Sequence, residues 1–93
     1  MPVKRYTLDG NKVGSLADFY DLISGLMKLP AHFGRNLDAL WDVLATDIEG
    51  PFEINWIHTD NSRKLMGKDF DRVVKLLREL EEERDDFQLK INH

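Results

Sequence analysis

Three short segments with strand character, residues 3–8, 52–56 and 87–91, are held apart by two long helical stretches, and this spacing constrains the fold more than any other feature. Val3-Lys4-Arg5-Tyr6-Thr7-Leu8 is rich in β-branched and aromatic residues and ends at the turn cluster Asp9-Gly10-Asn11. Phe52-Glu53-Ile54-Asn55-Trp56 and Phe87-Gln88-Leu89-Lys90-Ile91 alternate with the period of two expected of half-buried strands. Strands joined through helices cannot close as hairpins; they form right-handed crossovers and lie parallel. The expected fold is α/β, a three-stranded parallel sheet flanked by about four helices in β-α-α-β-α-α-β order.

The helices are marked by their ends as well as by their periodicity. Ser15 offers a capping hydroxyl with Asp18 three residues on, and Leu16, Phe19, Leu22, Ile23, Leu26 and Met27 form an apolar stripe. Pro30 stops this helix near Lys28 or Leu29 and leaves residues 30–35 as a loop. Asn36 is a good N-cap for a second helix, whose apolar set is Leu37, Leu40, Trp41, Val43 and Leu44; Gly50-Pro51 closes that unit. Asp60-Asn61-Ser62 is expected to cap a short helix reaching Met66, and a last helix is expected from about Asp69 to Glu83.

Ninety-three residues suffice for one compact domain spanning 1–93, and 42% apolar with 32% charged residues is the composition of a chain that folds. No apolar run approaches the roughly 20 residues needed to cross a bilayer, and the N-terminus lacks the pattern of a secretory signal, so the expected compartment is the cytoplasm. The absence of cysteine excludes disulfides, thiolate metal sites and cysteine nucleophiles. A net charge of −4 disfavours direct nucleic-acid binding and suits a basic partner.

The acidity is concentrated. Residues 30–50 hold Asp38, Asp42, Asp47 and Glu49 against Arg35 alone. Asp38 and Asp42 stand at i, i+4, where like charges cost a helix about 0.2–0.5 kcal/mol. The helix N-terminus offsets part of this for Asp38 and less for Asp42. These acids can be ordinary solvated side chains, a general acid–base pair, oxygen ligands for a hard cation, or a rigid anionic surface for a cationic protein site with Trp41 as apolar anchor. Catalysis lacks an accompanying nucleophile or oxyanion feature, no calcium-loop or zinc spacing is present, and no cofactor is expected. His32, His58 and His93 read as a loop side chain, a strand-end residue and a frayed terminus. Trp41 is expected to be at least partly buried, and the run Glu79–Asp86 to be a solvated helix end and turn.

The segment Phe33-Gly34-Arg35-Asn36-Leu37-Asp38-Ala39-Leu40-Trp41-Asp42-Val43-Leu44 closely resembles the central motif of barstar-like ribonuclease inhibitors. The similarity extends along nearly the whole chain through the Ser-capped first helix, Leu29-Pro30, Pro51 and Trp56. The resemblance implies a protein without enzymatic activity, a monomer when free, that plugs the active site of a secreted, basic, barnase-like ribonuclease and protects the producing cell. It implies that Asp42 enters the enzyme's phosphate pocket, Asp38 pairs with nearby basic residues, Trp41 flanks them and Glu79 adds a peripheral contact. His32 stands where the family's best-known member has an aromatic contact residue, and Thr46-Asp47 where it has Gly-Trp. His32, Thr46 and Asp47 thus join the expected partner-binding face, and a different ribonuclease or basic toxin fits as partner. The alternative is a barstar-fold interaction module with a non-nuclease partner.

Overall fold

The computed structural model describes residues 2–31 and 33–93. Its elements are β1 (Lys4–Asp9), α1 (Leu16–Met27), α2 (Leu37–Asp42), β2 (Phe52–Ile57), α3 (Thr59–Met66), α4 (Lys68–Glu83) and β3 (Phe87–Ile91). A 3-10 turn, Gly10–Lys12, follows β1, and a π-helical turn, Val43–Asp47, continues α2. The three strands lie in the order β1-β2-β3 and all run parallel, with Tyr6, Ile54 and Leu89 in register. This is the α/β architecture expected from the spacing of strands and helices.

The strand alternation has a direct structural cause. Leu8, Phe52, Ile54, Trp56, Phe87 and Leu89 project to one side of the sheet and are buried against Phe19, Ile23, Leu40, Leu44, Phe70, Val73, Leu77 and Leu80 of the helices. Phe19 and Phe70 sandwich the Trp56 ring at centroid distances of 5.5 and 5.0 Å. The opposite side of the sheet is polar: Arg5, Thr7, Gln88 and Lys90 are exposed there. Parallel sheets are seldom left open on one face. Here Glu53, at the centre of the sheet, is only 4% exposed, and Arg5 and Lys90, from the two flanking strands, both pair with its carboxylate.

The N-caps behave as their residue types dictate. Ser15 Oγ accepts from the Asp18 amide, and Asp18 returns a carboxylate to the amide of Gly14 at 3.1 Å, one residue before the cap. Lys28, in the left-handed region at φ 52°, ends α1 ahead of Pro30.

Helix α3 starts differently from expectation. Thr59 opens it, preceded by His58 at φ 52°, while Asp60, Asn61 and Ser62 lie inside its first turn. Asn61 and Ser62 spend their side chains on the Gly10 carbonyl instead of capping, and Thr59 is tied through both its amide and its hydroxyl to the Asn92 carbonyl. Gly10 sits so close to the Ile57 and His58 carbonyls that a side chain there would collide with backbone. His93 is likewise not a frayed end: its Nδ1 lies 3.1 Å from Asp60 Oδ1 and 3.2 Å from Thr59 Oγ1.

Candidate functional site: an acidic helix beside a groove

Local sequence sets the position of α2. Arg35 adopts φ 52°, and Asn36 Oδ1 then accepts from the Ala39 amide at 2.7 Å, fixing the first turn. Phe33, just before, packs edge-on against Tyr20 of α1 at 5.8 Å between centroids. Burial raises the pKa of the Tyr20 phenol, nearby Asp69 adds to the rise, and Arg35 opposes it. Leu40 and Leu44 are fully buried and anchor the helix from below.

With its underside fixed, α2 turns Asp38 and Asp42 to solvent and leaves Trp41 half-buried between them. Among the described residues none of Asp38, Asp42, Asp47 or Glu79 forms an ion pair. Beyond Asp42 the helix widens into the π turn. The Thr46 hydroxyl donates to the Asp42 carbonyl at 2.6 Å and also lies 3.2 Å from Asp47 Oδ1, so Asp42, Thr46 and Asp47 form one hydrogen-bonded group.

The end of this turn is held from a distance. Arg84, in the turn between α4 and β3, donates from Nη1 to the carbonyls of Leu44 and Ile48 at 2.7 and 2.8 Å. Its other nitrogens form a bidentate pair with Asp86, and the guanidinium lies over the Phe52 ring at 5.0 Å. Hydrogen bonding from Arg84 holds the Asp86 carboxyl below its ordinary pKa against the opposing effect of burial. Glu81, also in the run read as solvated, accepts from the Leu89 amide at 2.8 Å and pairs with Arg78. Parts of that run are therefore structural, because the chain folds β3 back along α4; Glu82, Glu83 and Asp85 remain exposed.

Alongside α2 runs an open groove of about 340 Å³ lined by Leu37, Asp38 and Trp41 from α2 and Arg72, Lys75, Leu76 and Glu79 from α4. A second hollow, of about 490 Å³, lies toward α1 and is bordered by Leu16, Tyr20, Arg35, Asn36, Leu37 and Asp38. Asp38 therefore stands on the ridge between the two. The structure brings Asp38, Trp41 and Glu79 together on the groove, and places Asp42, Thr46 and Asp47 in the exposed group that continues from it. His32 lies outside the described residues.

Arg72, Lys75 and Leu76 are groove residues that the motif alone does not reveal. Their signal is the spacing 72, 75, 76, 79, one stripe of a helix, which acquires meaning only once α4 is known to lie against α2. Among the described residues no group of three or more His, Cys, Asp or Glu side chains is placed to hold a metal ion.

Fold and site together define a small parallel α/β protein that displays acids on a braced helix. The chain belongs to the barstar family: the family model described as "Barstar (barnase inhibitor)" matches residues 3–93. It is 28% identical over 90 residues, 96% of this chain and 99% of the relative, to the Bacillus subtilis (strain 168) protein named "Putative ribonuclease inhibitor YrdF". The family is one of inhibitors, not enzymes.

Proposed function

We propose that this protein inhibits a basic, barnase-like ribonuclease in the cytoplasm of the cell that makes it, by laying α2 over the enzyme's phosphate-binding site. Asp42 and Asp38 then stand in for RNA phosphates, Trp41 supplies the apolar anchor, and His32, Thr46, Asp47 and Glu79 surround them. The observation that carries this reading is the set of unpaired acids on α2 and α4 around a half-buried tryptophan, in a chain of the barstar family. A braced helix loses little conformational freedom on docking, and a net charge of −4 steers it toward a cationic cleft.

The presence of Arg72 and Lys75 in the groove favours a second reading, an interaction module whose partner carries acids beside its cationic site. Calorimetric titration into barnase, and into nucleases encoded by the same organism, separates the two. The inhibitor reading expects tight one-to-one binding, weakened at least about 30-fold by Asp42→Ala, as for an interface hot spot of about 2 kcal/mol or more. Glu83→Ala, on the exposed end of α4, is expected to change affinity less than about threefold. Equal effects of the two substitutions sink the assignment of the site; no binding to any nuclease leaves the interaction module.

A further inference from the structure

The two edges of the sheet are treated differently. At β3 the middle of the outer edge is closed: Glu81 accepts from the Leu89 amide, and Arg78 donates to the Leu89 carbonyl at 3.1 Å. At β1, among the described residues, no side chain closes the edge in this way. The Lys4 amide donates to the Pro51 carbonyl, so Lys4, Tyr6 and Leu8 turn their backbone groups toward β2, while Arg5 and Thr7 turn theirs outward. Among the described residues those outward groups have no partner outside the strand ladder, and Thr7 is exposed. Uncapped edges of this kind are templates for strand addition.

We propose that the occupant of the β1 edge is a second copy of this chain, paired antiparallel about a two-fold axis through Thr7. The charge pattern of the strand selects both the partner and the register. With Thr7 opposite Thr7, Arg5 of each copy, already paired with its own Glu53, comes opposite Asp9 of the other, whose Oδ1 accepts from the Asn11 amide, and Lys4 comes opposite Gly10, so no like charges meet. A shift that centres the pair on Arg5 sets guanidinium against guanidinium, and one centred on Asp9 sets carboxylate against carboxylate. The Thr7-centred register alone pairs the cation with the anion twice, and it joins the two polar sheet faces into one six-stranded surface. Helix α4, which carries half of the groove, packs at the β3 side, so the pairing leaves the acids on α2 free. This departs from the free monomer expected from the sequence, and it does not depend on the ribonuclease reading.

Sedimentation velocity of the full chain over a concentration series tests the proposal, with Thr7→Pro alongside. The Thr7 amide points away from β2, so proline removes an edge donor without breaking the ladder. The wild-type protein is expected to move from the monomer to the dimer sedimentation coefficient as concentration rises, and Thr7→Pro to stay monomeric. A wild-type chain that remains monomeric throughout, or a folded Thr7→Pro chain that associates equally well, overturns it. Should Thr7→Pro not fold, hydrogen exchange at the Arg5 and Thr7 amides of the wild-type protein decides: exchange must slow with concentration, and concentration-independent exchange refutes the pairing. Protection that arises only on adding a nuclease assigns the edge to a partner's strand and overturns the second copy as occupant.

Discussion

Two acidic regions of this molecule are built on opposite plans. On the open sheet face, Glu53 sits on the central strand with Arg5 and Lys90 closing over it from either side, so its charge is consumed within the protein. On α2, Asp38 and Asp42 are held from below by Leu40 and Leu44 and, among the described residues, form no ion pair. A carboxylate paired inside a fold contributes to stability and has little left for a partner. An unpaired one on a braced helix gains at most what the helix N-terminus offers, loses a little through the like-charge spacing, and keeps its field for whatever docks. Acidity in the sequence is therefore not one property but two, and packing decides which residue has which.

The largest effect that breaks this contrast comes from the floor beneath α2. Leu40 is fully buried, and Leu40→Ala is expected to cost about 2–5 kcal/mol of folding free energy through lost burial and the cavity left behind. Chemical denaturation measures it. A loss well under 1 kcal/mol means that α2 is not braced from below and that the acids owe their placement to something else.

Next in size is the brace at the far end. Replacing Arg84 by Met keeps an apolar stem over Phe52 but strips the Leu44 and Ile48 carbonyls of their donor. Unsatisfied part-buried carbonyls of this sort cost about 1–3 kcal/mol. Hydrogen exchange is expected to localise the loosening to Val43–Asp47; uniform loosening across the sheet removes Arg84 from its role as the clamp of the π turn.

These two tests also separate what the sequence discloses from what it hides. Leu40 is legible because helical periodicity marks its buried face, and Asp38 and Asp42 because i, i+4 spacing places them together. The strands are legible because only one side of the sheet is covered, and the caps at Ser15 and Asn36 because those side chains act within three residues. Arg84 is not legible: it acts on carbonyls 36 and 40 residues earlier in the chain, and nothing local marks it. The start of α3 is hidden for the same reason, since Asn61 and Ser62 have the composition of caps but bond to Gly10 across the fold. The groove is half legible, its α2 wall carried by the motif and its α4 wall emerging only from the packing of two helices.

The smallest expected effect sharpens the sheet side of the comparison, because the charge of Glu53 can be removed by pH. Burial by itself raises the Glu53 carboxyl, but hydrogen bonds from Arg5 and Lys90, reinforced by their charges, outweigh it and hold the pKa below the ordinary glutamate value. A carboxyl whose pKa is depressed on folding lends stability that is fully present above its unfolded pKa and is lost as pH falls through the folded one. Glu53→Gln is therefore expected to lower the melting temperature at neutral pH, and the wild-type and variant curves to converge as pH drops below about 4. The same substitution should leave partner binding through α2 unchanged, since Glu53 lies on the far side of the sheet from the helices. A gap between the two melting curves that stays constant from neutral to acid pH means that Glu53 contributes by shape and not by charge, and the contrast with α2 then fails on the sheet side.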